Sequence, residues 1–151
     1  MLIVGTEWLV DASNCDPEAL RDVGRLRAVF ERAIAELELR VVGLPFWHKF
    51  PEPGGVTGLA LLSESHLACH TYPEFGTATF NLYCCRARPR WNWEAILRET
   101  LGATSVSVRV VERRAEFAHD DGEDIAEGVD EGDAQAASGM GGRVTATGGV
   151  D

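Results

Sequence analysis

The chain has no long apolar run, few basic residues and no Cys-x-x-Cys pair, and each shortage excludes a class of protein. No apolar stretch approaches the roughly 20 residues that a membrane-spanning helix needs, and residues 1–5 lack the basic region of a secretory signal. We therefore expect a cytoplasmic protein without a membrane partner. Its 14 basic and 24 acidic residues give a formal net charge of −10. A nucleic-acid-binding surface is not indicated.

The negative charge is unevenly distributed along the chain. Residues 119–151 contain nine acidic residues, one arginine, no aromatic residue and eight of the sixteen glycines. Such a segment buries too little apolar surface to offset the entropy lost on ordering. The sequence therefore predicts one folded domain over residues 1–118 and an acidic, glycine-rich, disordered tail over residues 119–151.

Hydrophobic periodicity predicts the elements of the folded domain. Helical spacing predicts one long helix from Pro17 to Leu37 with Asp16 as its N-cap, and a second helix from Asn92 to Gly102. Alternating or continuous apolar patterns predict strands over residues 6–12, 39–44, 56–63, 77–85 and 105–110. Short turns between strands favour an α+β fold, a two-layer sandwich of a mainly antiparallel sheet with two helices on one face.

Residues 62–74 do not have the composition of an ordinary strand. They contain two serines, two histidines, a cysteine and two glutamates between apolar segments. Such polar side chains are rare in half-buried strands unless they have hydrogen-bond or ion-pair partners or serve a function. No turn residue separates them from the preceding strand, so alternation would place Ser65 and His66 on opposite faces. The residues alone leave two interpretations open, a functional site or a polar edge strand ending in a turn at Pro73.

The four cysteines indicate neither a disulfide framework nor a usual metal site. An even number of cysteines predicts disulfides in a secreted chain, which this one is not expected to be. Four residues could in principle serve as zinc ligands, Cys69, His70, Cys84 and Cys85, but their spacing matches no common ligand pattern. We therefore expect reduced, mostly buried thiols and no metal.

The order of residues in this region resembles a known family. Glu64-Ser65-His66, then His70-Thr71-Tyr72-Pro73-Glu74, then a strand ending in Cys85 is similar to the bacterial and archaeal S-adenosylmethionine decarboxylases, with a match that extends with gaps from residue 7 to residue 117. These are pyruvoyl enzymes that cut their own chain at a Glu–Ser bond. The resemblance implies a homodimer, or a dimer of cleaved heterodimers, that decarboxylates S-adenosylmethionine for spermidine and polyamine synthesis without pyridoxal phosphate.

The resemblance also implies roles for the residues around the cut. Decarboxylation of an α-amino acid leaves a carbanion that needs a carbonyl as an electron sink. Ser65 matches the serine whose hydroxyl attacks the Glu64 carbonyl and which becomes the pyruvoyl group that forms the Schiff base. His70 matches the residue that promotes this processing, and Thr57 matches a position where a hydroxyl residue, often serine, assists.

Further positions match the residues that act on the substrate. Cys85 matches the cysteine that returns a proton to the carbanion, and Cys84 faces away from it on a strand and is expected to be structural. Phe50 and Tyr72 match aromatic residues that would sandwich adenine, and Glu74 matches a carboxylate that would accept hydrogen bonds from the ribose hydroxyls.

The sequence departs from the family pattern at several positions. Tyr72 stands where tryptophan is usual, Asn81 where aspartate is common, and Arg86 where glycine usually follows the cysteine. These departures leave open a pyruvoyl decarboxylase of the same fold that acts on arginine or ornithine. A regulatory partner without activity is a further alternative, which would be expected if Ser65, His70 or Cys85 were replaced.

Overall fold

The protein is described here by a computed structural model that covers residues 1–116, so the predicted tail lies outside the described residues. In chain order its elements are β1 (Leu2–Ser13), α1 (Pro17–Arg21), α2 (Val23–Glu36), β2 (Phe46–Lys49), β3 (Val56–Leu62), β4 (Ser65–Tyr72), a 3-10 helix (Pro73–Phe75), β5 (Thr77–Cys84), α3 (Trp93–Leu101) and β6 (Ser105–Ala115). Six strands form one sheet in the order β2-β3-β4-β5-β1-β6, and every neighbouring pair is antiparallel. Within residues 1–116, no helix is both long and apolar enough to cross a membrane.

The helices cover one face of the sheet and leave the other open. Alternate residues of β4 and β5 are buried, and they belong to the same core cluster as the apolar faces of α1, α2 and α3. Phe30, for example, is 1% exposed, and full burial of a side chain of this size contributes about 1.5–3 kcal/mol. Thr71 ties the two layers together, because its hydroxyl donates to the Leu20 carbonyl of α1 and accepts from the Val56 N–H of β3. The predicted α+β sandwich is confirmed.

The predicted single helix from Pro17 to Leu37 is wrong, because Asp22 divides it into α1 and α2. Asp22 has an extended backbone, and its carboxylate accepts hydrogen bonds from the N–H groups of Gly24 and Arg25. An aspartate in this geometry is a good N-cap, so it starts a second helix within an unbroken hydrophobic pattern. The described part of the chain therefore contains three α-helices.

The predicted strand over residues 39–44 is also wrong. This segment makes only an isolated bridge between Val41 and Leu62, because Gly43 bends the chain with a φ of 75° and Pro45 cannot donate to a sheet. The edge strand is instead β2, the aromatic segment that follows. At the other edge, β1 and β6 pair beyond their predicted ends, from Leu2 to Ala115, where exposure on both faces removes the alternation that would signal a strand.

The polar segment does not continue β3 as predicted. Ser63 and Glu64 form a two-residue turn, and Leu62 pairs with Ser65 across it. Two-residue connections are the tightest way to join antiparallel strands. The predicted cleavage point, between Glu64 and Ser65, therefore lies at the junction of a hairpin turn and the first residue of β4.

Candidate active site

The backbone around the Glu64–Ser65 bond is held in an unusual geometry. Ser65 has a φ of 154°, a conformation that residues other than glycine rarely adopt and that costs on the order of 1–3 kcal/mol. Ser65 pairs with Cys84 of β5, and the Glu64 carbonyl oxygen accepts a hydrogen bond from the Cys85 N–H at 3.0 Å. A polarised carbonyl thus lies directly beside a strained serine.

The Glu64 side chain is buried and clamped. It is 7% exposed, accepts a 2.7 Å hydrogen bond from the Ser63 hydroxyl, and forms a short ion pair with Arg88. These contacts, the Ser63 hydroxyl first and Arg88 after it, hold the pKa of Glu64 below its ordinary value despite its burial. Arg88 lies in the loop between β5 and α3, and among residues 1–116 its buried Nε has no hydrogen-bond partner. The clamp fixes the acyl side of the bond.

A line of polar side chains runs from Ser65 across the open face of the sheet. Ser65 Oγ lies 3.2 Å from His66 Nδ1, and His66 Nε2 lies 2.7 Å from Asn81 Oδ1. Asn81 Nδ2 donates to Glu7 Oε1 at 2.5 Å, and Arg113 donates to Glu7 Oε2 at 2.9 Å. The Asn81 hydrogen bond, with Arg113, lowers the pKa of Glu7. Sequence reasoning predicted the role of Ser65 but assigned none to His66, Asn81, Glu7 or Arg113.

A second group of predicted residues gathers at the far end of β4. Thr57 and His70 face each other across β3 and β4, and Thr57 Oγ1 lies 2.5 Å from His70 Nδ1. The His70 ring lies 4.6 Å from the Tyr72 ring and 5.6 Å from the Phe50 ring, measured between centroids. Both aromatic side chains are partly open to solvent. Glu74 follows in the 3-10 helix and is exposed.

The predicted site residues thus form two separate groups. We call Glu64, Ser65 and Cys85 the serine half-site, and Phe50, Thr57, His70, Tyr72 and Glu74 the histidine half-site. Ser65 and His70 are five residues apart on one strand, which corresponds to about 17 Å at the usual rise per residue. Within one chain, therefore, no side chain of the histidine half-site reaches Ser65.

The two adjacent cysteines differ sharply in environment. Cys84 is fully buried on the helix face of β5, whereas Cys85 follows the strand and is exposed, as alternation predicted. Burial raises the pKa of the Cys84 thiol and raises that of Cys69 to about 12. Among residues 1–116, no three histidine, cysteine or carboxylate side chains are close enough to hold a metal ion. The zinc site drawn from the sequence therefore has no structural support.

Comparison with known proteins first gives the class. The fold is similar to the crystal structure of the adenosylmethionine decarboxylase from Aquifex aeolicus, with a TM-score of 0.65 and 27% sequence identity. The similarity covers 78% of this chain and 97% of that one. The chain therefore has the fold of that adenosylmethionine decarboxylase.

Sequence comparison then gives the family. The S-adenosylmethionine decarboxylase family model matches residues 6–114. The S-adenosylmethionine decarboxylase proenzyme of Thermococcus kodakarensis is 36% identical over 98 residues, which cover 64% of this chain and 67% of that protein. The proenzyme of Prochlorococcus marinus is 36% identical over 113 residues, 74% of this chain and 88% of that protein. The chain belongs to the S-adenosylmethionine decarboxylase family of enzymes, which confirms the resemblance seen in the sequence.

Proposed function

We propose that the chain is a proenzyme that cuts itself between Glu64 and Ser65 and then decarboxylates S-adenosylmethionine. The product, decarboxylated S-adenosylmethionine, supplies aminopropyl groups for spermidine synthesis. The observation that carries the proposal is the scissile bond itself, a hairpin peptide whose serine has a φ of 154° and whose carbonyl accepts a backbone N–H. A strained, polarised peptide of this kind is a good target for its own hydroxyl.

The self-cleavage follows from these contacts. Ser65 Oγ attacks the Glu64 carbonyl carbon, and the negative charge that develops on the carbonyl oxygen faces the Cys85 N–H at 3.0 Å. The bond between the Glu64 carbonyl carbon and the Ser65 nitrogen then breaks, which converts the amide into an ester and leaves the nitrogen on Ser65 Cα as an amine. Removal of the Ser65 Cα proton then splits the ester, releases Glu64 as a carboxylate, and leaves a dehydroalanine. Water hydrolyses the dehydroalanine to a pyruvoyl cap with loss of ammonia.

The residues around Ser65 fit a pyruvoyl group. The position is partly open, and the turn and β5 hold the backbone on both sides of it. The carbonyl of the pyruvoyl group supplies the electron sink for the carbon that loses CO2. Cys85 is exposed at the same end of the sheet and is the proposed proton donor to that carbon. Proton transfer by a positioned side chain contributes about 10²- to 10⁴-fold to a rate.

The separation of the two half-sites favours a dimer that shares its sites. A second copy laid in the opposite direction across the open face would set its histidine half-site against the serine half-site of the first. The open face and its edge carry apolar side chains suited to such contact, since Phe46, Leu59 and Leu61 are 43–74% exposed. In this arrangement Phe50 and Tyr72 stack on adenine, and Glu74 accepts hydrogen bonds from the ribose hydroxyls.

Self-cleavage is tested by replacing Ser65. We expect the purified wild-type chain to run as two bands on a denaturing gel, residues 1–64 and residues 65–151, and the Ser65→Ala chain to stay whole and release no CO2. Ser107→Ala, a change at an exposed serine of β6, is the matched control and should cleave normally. Two bands from the Ser65→Ala chain would mean that the cut lies elsewhere.

The substrate is tested by comparing CO2 release from S-adenosylmethionine, arginine and ornithine. The nucleoside substrate is favoured because an amino acid without ribose or adenine has no use for Glu74 beside two exposed aromatic rings. Activity on arginine or ornithine alone would replace the first substrate with the alternative. An uncut, inactive chain would support the regulatory alternative.

Sharing of the sites is tested by mixing two inactive chains. Ser65→Ala and His70→Ala should each remain uncut when produced alone. When the two are produced together, the His70→Ala chain should be cut, because its Ser65 faces the intact His70 of its partner. Mixed dimers in which that chain stays whole would contradict a shared site.

A further inference from the structure

We propose that His66 is the general base that takes the proton from Ser65 during self-cleavage, and that Asn81 and Glu7 are positioning residues that fix its protonated nitrogen. The inference deepens the proposed function and rests on it. His66 follows Ser65 directly, and its Nδ1 lies 3.2 Å from Ser65 Oγ. Within a single chain, as the structure describes it, only the imidazole of His66 contacts the nucleophile, because His70 of the same chain is bonded to Thr57 at the far end of β4.

The protonated nitrogen of His66 follows from the hydrogen-bond line. An ionised carboxylate only accepts hydrogen bonds, so the Asn81 atom 2.5 Å from Glu7 Oε1 is its amide nitrogen. Asn81 Oδ1 therefore faces His66 Nε2, at 2.7 Å, and accepts a hydrogen bond from it. Since Nε2 carries the proton of the neutral ring, Nδ1 presents its lone pair to the Ser65 hydroxyl.

Arg113 keeps Glu7, the last residue of this hydrogen-bond line, ionised. Its Nη1 donates to Glu7 Oε2 at 2.9 Å, which leaves Glu7 Oε1 for Asn81. The remaining neighbours of His66 are compatible with a base, since β5 contributes the Tyr83 ring at 6.0 Å and β3 contributes Leu61 as its cross-strand partner. Among residues 1–116, the charged and titratable groups that face His66 are thus Tyr83 directly, and Glu7 and Arg113 through Asn81.

The proton transfer that accompanies the first step, the shift of the Glu64 acyl group from nitrogen to oxygen, is complete within this site. As the bond from Ser65 Oγ to the Glu64 carbonyl carbon forms, the hydroxyl proton moves to His66 Nδ1. When the carbon–nitrogen bond breaks, the imidazolium returns that proton to the Ser65 nitrogen, which leaves as an amine. Glu64 stays in place during the step, because Ser63 and Arg88 hold its side chain.

The assignment is tested by measuring the self-cleavage rate of freshly refolded full-length chains at a series of pH values. The wild-type rate should rise with pH through a single inflection and then level off. His66→Gln should cleave about 10²- to 10⁴-fold more slowly and lose that inflection. His48→Gln, at an exposed histidine of β2, should behave as wild type.

A pair of Asn81 variants tests the positioning without changing His66. Asn81→Asp retains an acceptor for Nε2–H, although it replaces the N–H donor to Glu7 by a second carboxyl oxygen, whereas Asn81→Leu retains the approximate size without an acceptor. We expect Asn81→Asp to cleave within about tenfold of wild type and Asn81→Leu to be slower by a further factor of about 10 or more.

Either of two results would overturn the inference. One is a His66→Gln chain that keeps the wild-type pH inflection, whatever its rate. The other is that Asn81→Asp and Asn81→Leu cleave at equal rates. This second result can be obtained even if His66→Gln does not fold. Neither result would affect the proposed function, provided that the wild-type chain is cut and the Ser65→Ala chain is not. A wild-type chain that never cleaves would remove both proposals together.

Discussion

Replacing Arg88 by methionine should destabilise the uncut chain in a way that depends on pH. Glu64 is 7% exposed and the Arg88 side chain 17% exposed, so the change leaves a buried carboxylate without its ion pair. Breaking a fully buried pair costs about 3–5 kcal/mol. Here Ser63 still donates to Glu64, and Arg88 already has one unpaired nitrogen among the described residues. We therefore expect a loss of about 2–3 kcal/mol at neutral pH, below the range for full burial.

The direction of the pH dependence follows from the lowered pKa of Glu64. A carboxylate whose pKa is lower in the folded state stabilises the fold at pH values above its unfolded pKa, and this contribution is lost as pH falls through the folded pKa. In the Arg88→Met chain, Glu64 takes up its proton at a higher pH than in the parent. The difference in stability should therefore be constant near neutrality and shrink in acid, once Glu64 of the folded Arg88→Met chain begins to take up its proton.

The measurement is urea unfolding of Arg88→Met in a Ser65→Ala background, which keeps both chains whole, at one fixed protein concentration because dimer formation would shift the midpoint. Arg90→Met in the same loop is the matched control. Its side chain is exposed, so its stability should change by less than about 0.5 kcal/mol. A loss at Arg88 no larger than at Arg90, or a loss that stays constant into acid, would refute the buried ion pair.

Three further predictions concern the thiols and the open face. Cys85→Ser should cleave normally but decarboxylate about 10²- to 10⁴-fold more slowly, and single-turnover assays that show no loss would remove Cys85 as proton donor. A thiol reagent should label native chains at Cys85 and spare Cys69, whose burial raises its pKa to about 12; peptide mapping that finds equal labelling contradicts the burial. Leu61→Glu, on the open face, should shift the chain towards monomer in analytical ultracentrifugation and slow its cleavage, and an unchanged dimer would exclude this face as the interface.

Much of the fold could be predicted because it depends on local periodicity. Alternation along β5 buries Ala78, Phe80 and Leu82 as expected, and helical spacing identified the apolar faces of the helices. The errors arose where one residue overrides a pattern. Asp22 caps a new helix inside a continuous apolar stripe, and the turn at Ser63–Glu64 contains none of the residues that usually mark a hairpin, such as glycine or asparagine.

The site could be predicted only in part, because its contacts cross the sheet. The motif predicted a site at Ser65 and the residues near it, and the predicted Thr57–His70 pair lies on adjacent strands of one hairpin. Glu7 and Asn81, by contrast, are 74 residues apart and meet through the pairing of β1 with β5. No local pattern reports such a contact. Arg88 is likewise one of three arginines in residues 86–90, and only the fold places it against Glu64.

Intact mass spectrometry of the purified wild-type chain tests the central claim most directly. The account predicts two polypeptides, one ending at Glu64 and one beginning at position 65, the latter lighter by one ammonia than a fragment that starts with serine. Its new terminus should also react with a carbonyl-specific hydrazide. A single unbroken chain, or a second fragment that begins with an ordinary serine, would contradict the account.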